Sequence, residues 1–526
     1  MQALATDPPA VVRWSHRDFG RWLLEVERRF PVATWRIGDV PVWPVVRATL
    51  YGSLFNAVVP GFGIGSRSGQ HVRRLIRAGT QWAHALGADR VHNEWPQGRA
   101  DVVFLSYSVG TQPVVAGRCV DPLLTPYVEL VKAEGKRARV WETSPFGDYN
   151  LPRTTPSALI EPIMLVPRIA SQVLPPPPPS DEVLPAFDEF VQFARASGVS
   201  FRYAQRKSLR RDIASVRWLG AIFEFLLRRV QPVIGFVADN GLREQAFCLA
   251  CSRLGVTSVE IQHGVQRELH PAFSYWSAIP SGGYATRPDR FWCWEQADAD
   301  VINRWTAADG SNAAVAGGDP WLKMWQDRLW GPAAELDAEF SALKEATDAP
   351  QHALVALSSV GELFPEALLE VLKNPPSGWR FWIRLHPVNQ KACRLEADQV
   401  LRQLGYSRSL TDYTTRLPLF LLLRHMDCQI VVNISTVIRQ AAAMGVPSIA
   451  CGDVDQARQF YNTEVSEGLL ATANSGDELA ALLPAMRRRK LELRRGPRPD
   501  SAATMHALLE QAFRRVRGTE QYSRRR

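Results

Sequence analysis

The chain has 526 residues, 46% hydrophobic and 22% charged, with a formal charge of +9. That length exceeds what one hydrophobic core organises and predicts two domains with extensions. No apolar run reaches the roughly 18 residues that a membrane-spanning helix needs.

Residues 1 to 14 contain Asp7, Pro8 and Pro9 and have no apolar centre, so they do not read as a signal peptide. The seven cysteines are scattered and odd in number, which fits a reducing compartment. The expected location is therefore the cytoplasm. Cys248 and Cys251 form a C-x-x-C inside the helical stretch AFCLACSRL, and no second pair completes a zinc site. They read as small residues on a buried helix face.

Residues 1–95 read as a helical, tryptophan-rich extension. WPVVRATLYGSLFNAVV, from Trp43, has apolar residues at helical spacing, suited to packing on the main body or to resting at a membrane interface. Gly61-Phe62-Gly63-Ile64-Gly65 follows an apolar helix and is not the dinucleotide fingerprint. From Asp101, VVFLSYS reads as a buried parallel strand, PLLTPYVELVKAEG as a helix and RARVWET as the next strand, which together form a βαβ unit. The five prolines at 175–179 exclude helix and central strand and read as an extended spacer.

The alternation resumes with the amphipathic helix SVRWLGAIFEFLLRRV. PVIGFVADNG, VTSVEIQHG, RFWCWEQ and NAAVAGGDP then read as strands with their terminal loops. A helical connector at 331–347 leads to a second set of strands, HALVALSSV, WRFWIRLHP, CQIVVNIS and VPSIACG. The expected organisation is α/β, with two Rossmann-like domains facing a cleft: 1–95 extension, 96–330 first domain, 331–485 second domain, 486–526 basic helix or tail.

Residues 487–526 are rich in arginine with no interleaved aromatic platform. This argues against nucleic acid as a partner and favours an anionic membrane surface, unless the tail is merely solvated.

Ligands of such sheets bind at the carboxyl ends of strands. Four groups fall there. Asp239-Asn240-Gly241 offers a base or nucleophile, or else a plain turn and helix cap. Gln262-His263-Gly264 offers a proton donor beside a tight turn. Arg384-Leu385-His386-Pro387 sets two cations on one side of a strand, suited to a phosphate, or else forms a charged edge. Ser435-Thr436 open a helix that carries Gln440, where hydroxyls and free N–H groups make an anion site or an ordinary cap. Asp298-x-Asp300 lies on an apparent helix and Asp453-x-Asp455 in a loop, and neither specifies a metal.

Taken in order, these motifs resemble the bacterial GT-B glycosyltransferases of capsule and lipopolysaccharide synthesis, over roughly residues 100 to 470. The group most similar uses cytidylyl donors, as sialyl and Kdo transferases do, and more distantly CDP-glycerol polymerases. Asp239-Asn240-Gly241, His386-Pro387 and Ser435-Thr436 look like that group's acidic, H-P and Ser/Thr motifs. Gln262-His263-Gly264 looks like the Q-H-G loop of capsule-type enzymes, and VAGGDPWL like their G-N-P turn with Asp319 in place of Asn. Asn240 replaces an acid of the motif, and Gln440 stands where many such enzymes have a ribose-binding glutamate.

The resemblance implies a cytoplasmic enzyme, or one peripheral on the inner face of the inner membrane. It would move a sugar from a nucleotide sugar to an oligosaccharide or lipid-linked glycan acceptor without a metal or other cofactor. Asp239 and His263 would be catalytic. Arg384, His386, Pro387, Ser435, Thr436 and Gln440 would hold the donor. Competing readings are a CDP-polyol phosphotransferase, a UDP-sugar 2-epimerase and a non-catalytic scaffold of a polysaccharide assembly complex.

Overall fold

A computed structural model describes residues 14–58, 98–107, 112–143, 152–161, 163–164, 181–199, 201–264, 270–307, 309–326, 330–358, 362–386, 391–492 and 499–524. The glycine-rich run at 61–65, the proline tract and Pro387 lie outside them.

The first domain is built on a parallel sheet of seven strands. They are β1 (Val102–Tyr107), β2 (Ala138–Thr143), β3 (Ala158–Leu159), β4 (Ile234–Val237), β5 (Thr257–Ile261), β6 (Arg290–Cys293) and β7 (Ala313–Ala316). Their order is β7-β6-β5-β4-β1-β2-β3, every pairing parallel. Alternate residues explain the continuous apolar runs. Val103 and Leu105 enter one core and Val102 and Phe104 another, so both faces are covered. The order switches direction between β1 and β4, which opens a crevice at their carboxyl ends.

One face is covered by the amino-terminal segment. Helices α1 (His16–Arg29) and α2 (Trp43–Val58), with the segment between them, bury Phe19, Trp22, Trp35 and Trp43 in the same core as Trp141 and Phe247. Gly20 lies where α1 crosses Tyr275: a Cβ there would stand 2.3 Å from the tyrosine ring, so only glycine permits the approach. The described part of the extension is thus core of the first domain. Helix α4 (Arg206–Val230) packs on α5 (Leu242–Leu254), which Gly255 ends in the left-handed conformation. Cys248 and Cys251 are buried on α5.

The second domain holds β8 (Gln351–Ala356), β9 (Trp379–Arg384), β10 (Cys428–Val432), β11 (Ser448–Cys451) and β12 (Leu470–Ala473). They form a parallel sheet ordered β9-β8-β10-β11-β12, with its own switch between β8 and β10. The fold is α/β with two Rossmann-like domains.

The chain leaves the first domain at Gly317-Gly318-Asp319 and returns to the same place. Asp319 Oδ1 accepts from the N–H groups of Trp321 and Leu322, and Ser501 Oγ donates to the Gly317 carbonyl at 2.6 Å. The last helix, Ser501–Arg524, then lays Met505, Leu508, Leu509 and Ala512 on the second face of the first sheet. That spacing is one helical stripe. Burying the Met and two Leu side chains contributes roughly 2 kcal/mol apiece.

Several of the basic residues counted toward a membrane tail are engaged within the fold. Arg487 faces Asp427, Arg489 donates to the Glu467 carbonyl, Lys490 to the Met426 carbonyl, and Arg515 pairs with Asp289. Among the described residues, no helix is long and apolar enough to cross a membrane.

Candidate functional site

Both switch points carry expected residues. Asp239 follows β4, half-buried, and its Oδ1 accepts from the Asn240 N–H at 2.7 Å. Gly241 precedes α5 as its N-cap without a side-chain bond. The turn reading is therefore correct in geometry, and it leaves the carboxylate partly exposed at the crevice.

Asp239 is surrounded by buried ionisable groups. Burial, with a smaller push from the Asp239 charge, raises the Tyr51 phenol well above its ordinary range. Tyr107 is raised in the same way, with Glu244 adding to Asp239. Glu244 is buried beside Arg243, which also donates to Thr143. Tyr51 Oη lies 3.1 Å from His270 Nε2. Burial holds His270 down at about 3, with smaller contributions from the charges of His16 and His263. Tyr51 and His270 were not expected at the site. They lie 219 residues apart, and no local pattern marks them.

Glu260, on β5, was also missed. Its side chain is 1% exposed, and among the described residues neither carboxyl oxygen has a hydrogen-bond partner. Burial lifts it to about 7, against the opposing pull of Arg287. Between pH 4.5 and 7 the folded chain thus keeps a proton that the unfolded chain has released. This contribution to stability is full below about pH 4.5, is lost as pH rises to about 7, and stays lost above it. Glu260→Gln is expected to raise stability at pH 8 by about 3 kcal/mol and to change it little at pH 4.5. Urea unfolding at the two pH values checks this; equal gains at both would contradict it.

The Gln262-His263-Gly264 loop is held by its first residue. The Gln262 amide is buried: Nε2 donates to the Gly264 carbonyl (2.8 Å) and to Asp298 (3.2 Å), and Oε1 accepts from the Trp294 N–H (2.6 Å). His263 Nδ1 is buried with no hydrogen-bond partner among the described residues. A Cβ added at Gly264 would lie 3.6 Å from Thr436 Oγ1. The loop of one domain therefore meets the Ser/Thr motif of the other.

That motif is reached through Asn433, whose positive φ of 60° turns the chain out of β10; its Oδ1 accepts from the Asp453 N–H at 3.0 Å. Thr436 is the N-cap of α9 (Val437–Ala443) by position, yet its side chain makes no cap bond. The ordinary cap reading thus fails for Thr436, and its hydroxyl faces the crevice loop instead. Gln440 lies half-buried one turn into α9.

The third motif requires a correction. Arg384 was expected to share phosphate binding with His386. Its guanidinium is buried, and one terminal nitrogen donates to the carbonyls of Thr414, Thr415 and Leu417 at 2.8 to 3.1 Å. It caps the helix Arg408–Arg416 and is a structural residue. His386, half-buried, is held at about 4 by burial and then by the Arg384 charge. At neutral pH it is an uncharged imidazole that donates one N–H. Asp453 caps the helix Val454–Phe460 by accepting from the Gln456 N–H. Among the described residues no His, Cys, Asp and Glu cluster is arranged to hold a metal.

Arg439, next to Gln440, is the largest omission from the sequence reading. It is 5% exposed and crosses between the domains, reaching Asp298 at 3.0 Å, Glu295 at 2.5 Å and Glu464 at 3.6 Å. A second crossing contact sets the His16 ring edge-on against Phe460, centroids 4.8 Å apart.

No family model matches the chain, and no curated protein matches it by sequence. Solved structures do. UDP-GlcNAc 2-epimerase from Neisseria meningitidis, bound to UDP-GlcNAc, is 11% identical over 78% of this chain and 99% of its own, with a TM-score of 0.46. The UDP-GlcNAc 2-epimerase from Methanocaldococcus jannaschii is 11% identical over 78% and 99%, with a TM-score of 0.44. The glycotransferase of kitacinnamycin is 15% identical over 80% and 99%, with a TM-score of 0.41.

Proposed function

We propose that this chain is a nucleotide-sugar glycosyltransferase whose donor is CMP-linked, such as Kdo or a sialic-acid-like sugar, and whose acceptor is a hydroxyl of a surface glycan. The observation that carries the reading is the meeting of two strand-end motifs: the uncapping hydroxyl of Thr436 faces the His263-Gly264 loop, with Asp239 at the neighbouring switch point.

In this reading Asp239 takes the proton of the acceptor hydroxyl. The acceptor oxygen attacks the anomeric carbon, the bond to the donor phosphate breaks, and the nucleotide leaves with its charge. The His386 N–H and the hydroxyls of Ser435 and Thr436 meet that charge as it develops. Gln440 contacts the ribose. Arg384 supports the loop after β9 without touching donor.

Thermal unfolding with CMP, CDP, UDP, UMP, GDP and TDP tests the donor. A ligand at 100 times its Kd stabilises by about 2.7 kcal/mol. A shift with CMP or CDP is expected, weakened about 10- to 100-fold in affinity by His386→Ala through loss of one hydrogen bond to a charged group. A shift with UDP alone removes the CMP assignment, and no shift at all favours the scaffold.

One observation favours a second reading, a UDP-sugar 2-epimerase. Asp239 acts electrostatically on the two buried carboxyls Glu244 and Glu260, and proton abstraction from a sugar carbon requires such groups. Product analysis separates the two: a transferase releases free nucleotide only with acceptor, whereas an epimerase keeps the sugar attached.

We also propose that the acceptor lies at an anionic membrane, with α4 as the docking element. Trp218 and Phe225, about half exposed and seven residues apart, share its outer face, and Arg229 lies over the Phe225 ring. Interfacial aromatics flanked by arginine suit anionic headgroups. Co-sedimentation with phosphatidylglycerol vesicles is expected to fall at least tenfold in Trp218→Glu/Phe225→Glu; unchanged sedimentation would remove this docking face.

A further inference from the structure

We propose that Arg439 is a positioning residue that locks the His263 loop to the nucleotide-side helix, so that donor binding on α9 organises the catalytic loop of the other domain. The inference rests on the nucleotide-sugar reading for its ligand and on the geometry alone for the lock.

The connection is continuous and buried except at Glu295. Asp298 is fully buried, and both its oxygens lie 3.0 Å from one Arg439 nitrogen. Its Oδ2 also accepts from Gln262 Nε2. Gln262 in turn holds the Gly264 carbonyl and the Trp294 N–H. Glu295, beside Trp294, takes the second terminal nitrogen of Arg439, and Glu464, from the second domain, approaches its Nε.

Arg439 is the third residue of α9, directly before Gln440 and three residues after Thr436. A ligand held by Thr436 and Gln440 therefore fixes the segment from which Arg439 projects. The planar fork explains the residue type: one guanidinium serves two carboxylates in different directions, and a lysine ammonium cannot reproduce that fork. Charges taken so far out of water are tolerated only when paired, so separation of the domains at this point exposes all of them together.

Hydrogen–deuterium exchange of the full-length protein tests the lock without any ligand. In Arg439→Met, amide exchange in peptides spanning Val256 to Gly264 is expected to accelerate at least tenfold, while peptides of β8 and β9 stay unchanged. Arg439→Lys should fall between. Glu295→Gln, which removes a half-exposed partner and keeps the buried pair, should give a smaller acceleration and covers the case in which Arg439→Met does not fold. Unchanged exchange at the loop in these variants overturns the proposal.

CMP and UDP are then added in turn. A nucleotide that binds wild type is expected to protect the 256–264 peptides, and the protection should shrink at least fivefold in Arg439→Lys at equal nucleotide occupancy. Equal protection overturns the coupling. If neither nucleotide binds wild type, the donor reading fails, and the ligand-free exchange still decides the lock. In turnover assays a positioning role predicts a lower kcat with donor KM within about twofold for Glu295→Gln; a change in KM alone overturns it.

Discussion

Asparagine at position 239 is expected to lower turnover about 10²- to 10⁴-fold, the range for removing a positioned general base, while nucleotide affinity stays within about twofold. The substitution keeps the side chain's shape, and the accepting Oδ1 that holds the Asn240 N–H at 2.7 Å is retained by an amide oxygen. The turn into α5 therefore survives and the proton acceptor does not. Removing the charge also acts on its neighbours, since Tyr51, Tyr107, Glu244 and Glu260 all feel Asp239. A useful corollary follows: in Asp239→Asn the Glu260 carboxyl should titrate lower than its present value of about 7, because one repulsive charge is gone. Steady-state kinetics with the donor found by the nucleotide panel check the first effect. Turnover within tenfold of wild type would remove Asp239 from the role of base. Retained affinity also separates chemistry from binding, because Asp239 belongs to the first domain and the proposed phosphate contacts to the second.

Most of the strands were legible because parallel strands covered on both faces are uniformly apolar. VVFLSY and IGFV contain too few polar residues to be anything exposed, and the loops that follow such strands concentrate Asp, His, Ser and Thr. The candidate site was legible for the same reason, as polar groups directly after apolar runs. What stayed hidden depends on contacts across long stretches of chain. Arg384 follows the same rule as His386 in sequence, and only the helix Arg408–Arg416, some thirty residues onward, shows that its guanidinium is spent on carbonyls. Arg439 left a faint trace: an arginine inside the small, apolar run VIRQAAAM is out of place on a buried face unless a carboxylate waits there. Its partner Asp298 lies 141 residues away, and the D-x-D spelling around Asp298 specified neither a metal nor a distant arginine.

The amino-terminal segment shows how a remote charge pair supports the site. Glu27 and Arg47 have side chains 0% and 3% exposed and lie 2.5 Å apart. Glu27 also accepts from the Trp43 indole at 2.7 Å and from the Ala278 N–H at 2.9 Å. Arg47 donates to the carbonyls of Pro271, Ser274 and Tyr275 at 2.6 to 2.9 Å, and its guanidinium lies 3.9 Å from the Trp276 ring centroid. Arg47→Met is expected to cost about 3–5 kcal/mol, since it leaves a buried carboxylate without its counter-charge and strips donors from three carbonyls. Arg47→Met/Glu27→Gln should regain part of that loss, because the stranded charge is removed with its partner. Urea unfolding of wild type and both variants measures the effect, and a loss under about 1 kcal/mol for the single variant would contradict it. The pair also bears on catalysis. The segment it anchors begins beside His270, which meets Tyr51 from α2 at 3.1 Å and senses His263. Loosening the 271, 274 and 275 carbonyls frees both partners of that contact, so Arg47→Met should lose turnover at temperatures where it is still folded, with a smaller change in nucleotide affinity. The tryptophan-rich extension thereby helps to shape the cleft that it never enters through Arg47 itself.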